Sequence, residues 1–223
     1  MRYGERNFQV KGTFITFEGI EGSGKSTQIA LLANYLTARG IRNVLTREPG
    51  GTLIGDQVRK ILLDPANRSL DPTAELLLYA ASRAQHLRET ILPALANGLI
   101  VLCDRFSDAT LAYQGYGRGL DIELIHSLDR IVTTGMRPDL TILFDIEATM
   151  GIARARGRNN SLGLEAEARF ENEELVFHDR VRQGYLTLVA QDPDRIRVVD
   201  ASGTSEAVQD QVRNIVDERL RIG

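Results

Sequence analysis

Apolar positions fall in two rhythms that alternate along the chain. Short unbroken apolar or β-branched runs at 13–17, 44–46, 99–103, 140–144 and 196–199 read as buried strands. Between them, apolar residues recur at helical spacing. The pattern predicts helices over about 25–39, 52–63, 71–97, 121–133, 148–156, 167–190 and 205–221. Stops are written in the sequence: Gly40, Asp64-Pro65 and Gly98 follow three of these stretches. Asp71-Pro72 is a helix start, with Asp as N-cap and Pro in the first turn. Pro93 should kink or loosen the end of that helix. A polar break is expected at 159–163. Strands alternating with helices predict an α/β fold: a parallel sheet covered by helices on both faces. Ligands in such sheets bind beyond the carboxyl ends of the strands, so residues just after strands carry the functional information.

Length and composition narrow this picture. The 223 residues suit a single domain, 1–223, with an inserted lid segment at about 154–168. A net charge of −3 argues against a general nucleic-acid binder. The lone cysteine, Cys103, excludes a disulfide framework within the chain and fits a reducing cytoplasm. It reads as a small buried residue of its strand. Residues 1–11 are polar and do not read as a signal peptide, and no apolar run is long enough to span a membrane. Only three of the 27 basic residues are lysine, which singles out Lys25.

That lysine lies in the sharpest motif. Gly19-Ile20-Glu21-Gly22-Ser23-Gly24-Lys25-Ser26 matches G-x-x-x-x-G-K-[ST], follows a strand and opens a helix. Glycines let backbone N–H groups turn onto phosphate oxygens, and the helix N-terminus adds a favourable dipole. Lys25 would bridge the β- and γ-phosphates of ATP, and the Ser26 hydroxyl would ligate Mg²⁺. Asp104, ending the strand at 99–103, would reach the metal shell, and Arg105 beside it would bind a second phosphate. The plainer alternative is a strand-end salt bridge. Arg47 stands at another strand tip before Pro49-Gly50-Gly51, either as a phosphate ligand or as a solvated arginine on a turn. Arg154, Arg156 and Arg158 would close over transferring phosphates or form a solvated face. Tyr79 and Arg83, four apart on a helix, would stack on and hydrogen-bond to a base; on pattern alone they read as a core tyrosine beside a surface arginine. His86, His126 and His178 show no metal-ligand spacing and are expected in packing or surface roles.

Together these pieces resemble the thymidylate kinase family. The resemblance rests on the P-loop through Thr27, on Thr46-Arg47-Glu48-Pro49-Gly50-Gly51-Thr52, Tyr79-Ala80-Ala81-Ser82-Arg83, Asp104-Arg105-Phe106 and Tyr113-Gln114-Gly115. Arg137-Pro138-Asp139-Leu140 and Arg180-Val181-Arg182-Gln183-Gly184-Tyr185 also fit. It implies a P-loop NTPase fold and transfer of the ATP γ-phosphoryl group to dTMP, with Mg²⁺, by a cytoplasmic homodimer that takes no nucleic-acid or membrane partner. Tyr79 would then stack on thymine and Arg83 would bond its carbonyl edge. Arg47 and Arg105 would hold the dTMP phosphate, and Thr110 and Gln114 would line the base pocket. Tyr113 would crowd the 2′ position, and Glu21 would meet either the deoxyribose hydroxyl or the metal–water network. The P-loop carries no basic residue between Gly19 and Gly24, so the resemblance implies the lid-arginine type, with Arg156 as first choice for the catalytic arginine. Family members often carry Asp before the arginine that follows the lid; here Ala168 precedes Arg169, while Glu171 keeps its place. The alternatives are another nucleoside monophosphate kinase, or a P-loop regulatory module. The missing Asn-Lys-x-Asp signature weighs against a GTPase.

Overall fold

The computed structural model describes residues 12–162 and 169–222, and the side chains of 158–162 fall outside that description. Five parallel strands form one sheet in the order β2-β3-β1-β4-β5: β1 (Thr13–Glu18), β2 (Asn43–Arg47), β3 (Ile100–Asp104), β4 (Leu140–Asp145) and β5 (Ile196–Asp200). The three central strands are buried almost throughout. This is why they read as continuous apolar runs rather than alternating ones. Helices α1 (Lys25–Ala38), α2 (Leu53–Leu63), α3 (Pro72–His86), α4 (Leu92–Ala96), α5 (Ser107–Thr110), α6 (Ile122–Thr133), α7 (Ala148–Leu162), α8 (Leu175–Gln191) and α9 (Ser205–Leu220) complete the described elements.

Register aligns the strand tips that matter. Phe17 pairs with Asp104, and Asp104 with Arg47, so β1, β2 and β3 end at one level. One core cluster joins α1, α8 and α9 to the sheet through residues such as Leu32, Val181 and Val212. A smaller one packs Phe14, Val101 and Cys103 against Leu87, Ile91 and Leu95. Cys103 is buried there as a free thiol, and burial pushes its pKa well up.

Three expectations need correction. The helix begun at Pro72 does not run unbroken to Asn97: Leu87–Ile91 widen into a π-helical turn before α4. Pro93 has no N–H for a regular i→i−4 bond, and the wider turn absorbs the mismatch. The polar break at 159–163 is helical as far as Leu162, since α7 continues through Asn159 and Asn160. The long helix expected from Glu167 begins only at Leu175; residues 169–172 form a turn in which Arg169 and Phe170 are buried by tertiary contacts. The sequence reading also left 107–117 without structure, whereas α5 and a π-helical turn at Leu111–Gly117 occupy it.

Candidate active site

The P-loop is shaped by backbone that side chains would disturb. Gly22 and Gly24 have φ of 71° and 86°, in the left-handed region. A Cβ on Gly22 would stand 1.9 Å from the carbonyl oxygen of Gly151 in α7. Lys25 is buried, and its Nζ donates to the carbonyls of Gly19 (2.9 Å) and Ile20 (2.8 Å) and to Ser23 Oγ (3.2 Å). Burial, with the nearby Arg105 charge, lowers its pKa to about 8 against the pull of Asp104, Glu21 and Glu18.

Helix α1 begins without a side-chain cap, as α8 does and α2, α3, α6 and α9 do not. Thr52, Asp71, Asp121 and Thr204 cap α2, α3, α6 and α9 with side-chain oxygens. The cap of α1 is Gly24, with no side-chain bond and no acidic residue in the first turn. Its first N–H groups are therefore left for another acceptor, and an anion at a helix N-terminus is the natural one. Ser26 Oγ, in that first turn, donates to Asp104 Oδ2 at 2.9 Å. These two oxygens at the strand tip suit a hard cation that keeps several ligands from water and phosphate, as Mg²⁺ does. Among the described residues, no group of three or more His, Cys, Asp or Glu could hold a metal by itself.

Arg105 is held in the left-handed region, at φ 71°, unusual for a residue with a Cβ. This turn, immediately after β3, carries its guanidinium to three partners. Nη2 donates to Glu21 Oε1 (2.9 Å) and Tyr113 Oη (3.0 Å), and Nη1 donates to Tyr185 Oη (3.2 Å). Tyr113 donates in turn to both Glu21 oxygens, at 2.7 and 2.8 Å. Burial alone would push Glu21 up, but Arg105, His178 and Lys25 outweigh it and hold the carboxyl well below its ordinary range. Tyr185 donates to Glu18 Oε2 (2.7 Å), whose Oε1 accepts from the Phe106 N–H (2.7 Å). Glu18 is fully buried; desolvation and the Asp108 carboxylate raise its pKa to about 7.

Arg83 is not the surface arginine that its helical spacing suggested. It is buried, with Nε on Glu48 Oε2 (2.8 Å) and Nη2 on the Phe106 carbonyl (3.0 Å) and Thr110 Oγ1 (2.8 Å). Behind it, Glu48 Oε1 accepts from His86 Nδ1 (2.9 Å), and His86 Nε2 lies 2.5 Å from Thr46 Oγ1. His86 and His178 are both fully buried against carboxylates, Glu48 and Glu21 respectively. The sequence reading missed these partners, along with Glu18, Glu48 and Tyr185. Glu18 could have been flagged, since a carboxylate closing an apolar strand beside a P-loop has no reason to be there for packing.

One cavity of about 510 Å³ gathers most of the candidates. Glu21 to Thr27, Arg47, Asp104 and Arg105 line one part; Tyr79, Arg83, Thr110, Tyr113 and Gln114 line the rest, with Glu48, Phe170 and Glu171. Gly19 and Ile20 form the base of the P-loop without lining the cavity. Arg47 is half exposed and 3.8 Å from Asp56. Arg154 turns away, donating to the carbonyls of Ala201 (2.9 Å) and Ser202 (3.1 Å). Arg156 donates to the Glu171 carbonyl at 3.3 Å, at the cavity edge. The Arg158 side chain and residues 163–168 of the expected lid, Ala168 among them, lie outside the described residues. Arg169, next in sequence, is anchored: its Nη1 donates to the Leu62 carbonyl (2.9 Å) and its Nη2 pairs with buried Glu75.

A P-loop, an uncapped helix start and a ring of arginines around one cavity describe a nucleotide phosphotransferase in general. The comparison with known proteins is specific. The family model for thymidylate kinase matches residues 17–212. The chain belongs to the thymidylate kinase family. The thymidylate kinase of Trichlorobacter lovleyi is 56% identical over 209 residues, covering 94% of this chain and 99% of that one. The thymidylate kinase of Syntrophotalea carbinolica is 57% identical over 195 residues, covering 87% and 90%. Among solved structures, thymidylate kinase from Ehrlichia chaffeensis superposes with a TM-score of 0.73 at 38% identity, covering 92% of this chain and 98% of that one. The P-loop NTPase fold of the thymidylate kinases is therefore the fold of this chain. No helix among its described residues is long and apolar enough to cross a membrane.

Proposed function

We propose that this thymidylate kinase family member transfers the γ-phosphoryl group of ATP to dTMP, giving dTDP and ADP. The observation that carries the reading is that one cavity brings both sets of residues together. Its P-loop end offers phosphate-binding backbone, Lys25 and Ser26, and its other end offers Tyr79, Arg83, Thr110, Tyr113 and Gln114 to a nucleotide base and sugar. Arg105 and Arg47 line the same cavity and would hold the acceptor phosphate there.

The chemistry is mainly positioning and charge neutralisation, because two polyanions must be brought into line. Lys25 binds the donor phosphates. Arg105 leaves Glu21 and Tyr113 for the acceptor phosphate, a stronger guanidinium partner, while Glu21 turns to the deoxyribose hydroxyl or to the metal–water network. Ser26 and Asp104 would hold Mg²⁺, which would supply charge neutralisation on the donor phosphates. Arg156 supplies the positive charge that the P-loop lacks, with Arg158 two residues further along the same helix, while Arg154 stays bonded to the Ala201 and Ser202 carbonyls. We assign the working form as a homodimer in the cytoplasm. Leu77 of α3 and Leu124 and Ile131 of α6 are at least half exposed and offer apolar surface for a second copy, which sedimentation analysis would detect.

A coupled assay of ADP formation with dTMP, dUMP, UMP, CMP and AMP tests the reading. Turnover with dTMP far above the rest is expected. A preference for AMP, or nucleotide binding with no phosphorylation of any monophosphate, would overturn it.

A further inference from the structure

Glu75 lies in the first turn of α3 and is fully buried. Among the described residues, every side chain that reaches its carboxylate is a donor. Gln114 Nε2 donates to Oε1 at 2.7 Å, Arg169 Nη2 donates to Oε2 at 2.5 Å, and Arg118 approaches both oxygens at 3.4 Å. A carboxylate facing guanidinium groups only accepts, so it fixes which end of the Gln114 amide it meets. Turned the other way, the amide would set two acceptor oxygens 2.7 Å apart. The –NH₂ end therefore belongs to Glu75, and Oε1 is the end that Gln114 has left for the cavity it lines. On the same wall, Arg83 spends its Nε and Nη2 hydrogens on Glu48, the Phe106 carbonyl and Thr110, and keeps one N–H of Nη1 beyond its 3.5 Å bond to Asp129. A donor next to an acceptor matches a pyrimidine with a carbonyl beside a ring N–H, the pattern of thymine and uracil at O4 and N3. Cytosine carries the reverse pattern, an amino group beside a bare ring nitrogen.

We propose that Glu75 is the positioning residue that gives the acceptor pocket its base specificity, by locking the Gln114 amide with its oxygen toward the base. The proposal rests on the cavity being the dTMP site. Glu75 acts through Gln114 and stays inside the wall. Its hold on Arg169 ties the orienting carboxylate to the chain immediately after the lid.

Glu75→Gln tests this with almost no change of shape. Arg169 can only donate, so the new amide turns its oxygen to Arg169 and its –NH₂ to Gln114. Gln114 must then flip and face the cavity with its own –NH₂. The ratio of kcat/KM for dTMP to that for dCMP should fall about tenfold or more, carried mainly by KM. The exchange variant, Glu75→Gln with Gln114→Glu, returns an acceptor to the base and should recover the ratio to within about threefold of the parent. A folded Glu75→Gln enzyme that loses activity equally on both substrates would overturn the proposal, because a purely structural role moves both together. If the single variant does not fold, the exchange variant decides: a preserved ratio supports the orientation, and a collapsed one refutes it. A parent enzyme inactive on dTMP is a separate result, against the function itself.

Discussion

At the scale of the residue, the P-loop is the most explicit text in the chain, and its chemistry depends on groups the motif does not name. Lys25 and Ser26 follow from the motif. The network that holds Glu21, through Arg105, Tyr113 and His178, does not. Those residues are 84, 92 and 157 positions away, and nothing local couples them. Arg83 illustrates the limit best. Helical spacing puts it beside Tyr79 but says nothing of Glu48, which directly follows β2 and draws the guanidinium inward. Arg156 carries the catalytic prediction. Its only described contact is the Glu171 carbonyl, so truncation removes little that holds the fold. Arg156→Ala should lower kcat by at least about a hundredfold, with the KM for dTMP within about twofold of the parent. An unchanged kcat in steady-state assays would strike Arg156 from the catalytic set.

At the scale of the element, α7 packs directly on the P-loop. It begins directly after β4 and lays Gly151 against the loop, so close that a Cβ there would stand 2.7 Å from the Glu21 carbonyl and 3.0 Å from Ile20 Cδ1. The packing is mutual, since Gly22 meets the Gly151 carbonyl in the same way. Gly151→Ala should therefore push the loop off its geometry. We expect a raised KM for ATP, a dTMP KM that changes less, and a loss of about 1–3 kcal/mol of stability in denaturant melts. An unchanged ATP KM would show that the loop tolerates displacement. The boundaries of α7 and α8 were misread for a related reason. Helical propensity continues through 167–174, but Arg169 and Phe170 gain more by burial against Glu75 and the aromatic ring of Tyr113 than by joining a helix.

At the scale of the whole molecule, the buried charges under the sheet tips make stability depend on pH. Glu18 has an ordinary pKa of 4.5 and a folded value of about 7. Below 4.5 the group is protonated folded or unfolded. Between 4.5 and 7 the unfolded chain releases a proton that the folded chain keeps, so stability falls as pH rises through that window. The loss through this group is at most about 3 kcal/mol and is complete above the folded value. Glu18→Gln, neutral at every pH, should flatten this slope. Denaturant melts of parent and variant at pH 5 and pH 8 measure it, and parallel losses in both proteins would remove Glu18 as the source.

The sequence by itself determined the strand and helix order, the P-loop motif, and the family. Those features are local: a strand tip, a glycine pattern and a helix start lie within a dozen residues of one another. It also named most of the residues that line the cavity: the P-loop, Arg47, Tyr79, Arg83, Asp104 and Arg105 from motif and position, and Thr110, Tyr113 and Gln114 through the resemblance. Only the tertiary structure decided which partner each charged side chain takes. Strand order brings Arg47, Asp104 and the P-loop to one level. Folding then buries Glu18, Glu48 and Glu75 beside donors drawn from distant elements. A buried carboxylate must find such donors or lose its charge, and no pattern along the chain records where they come from.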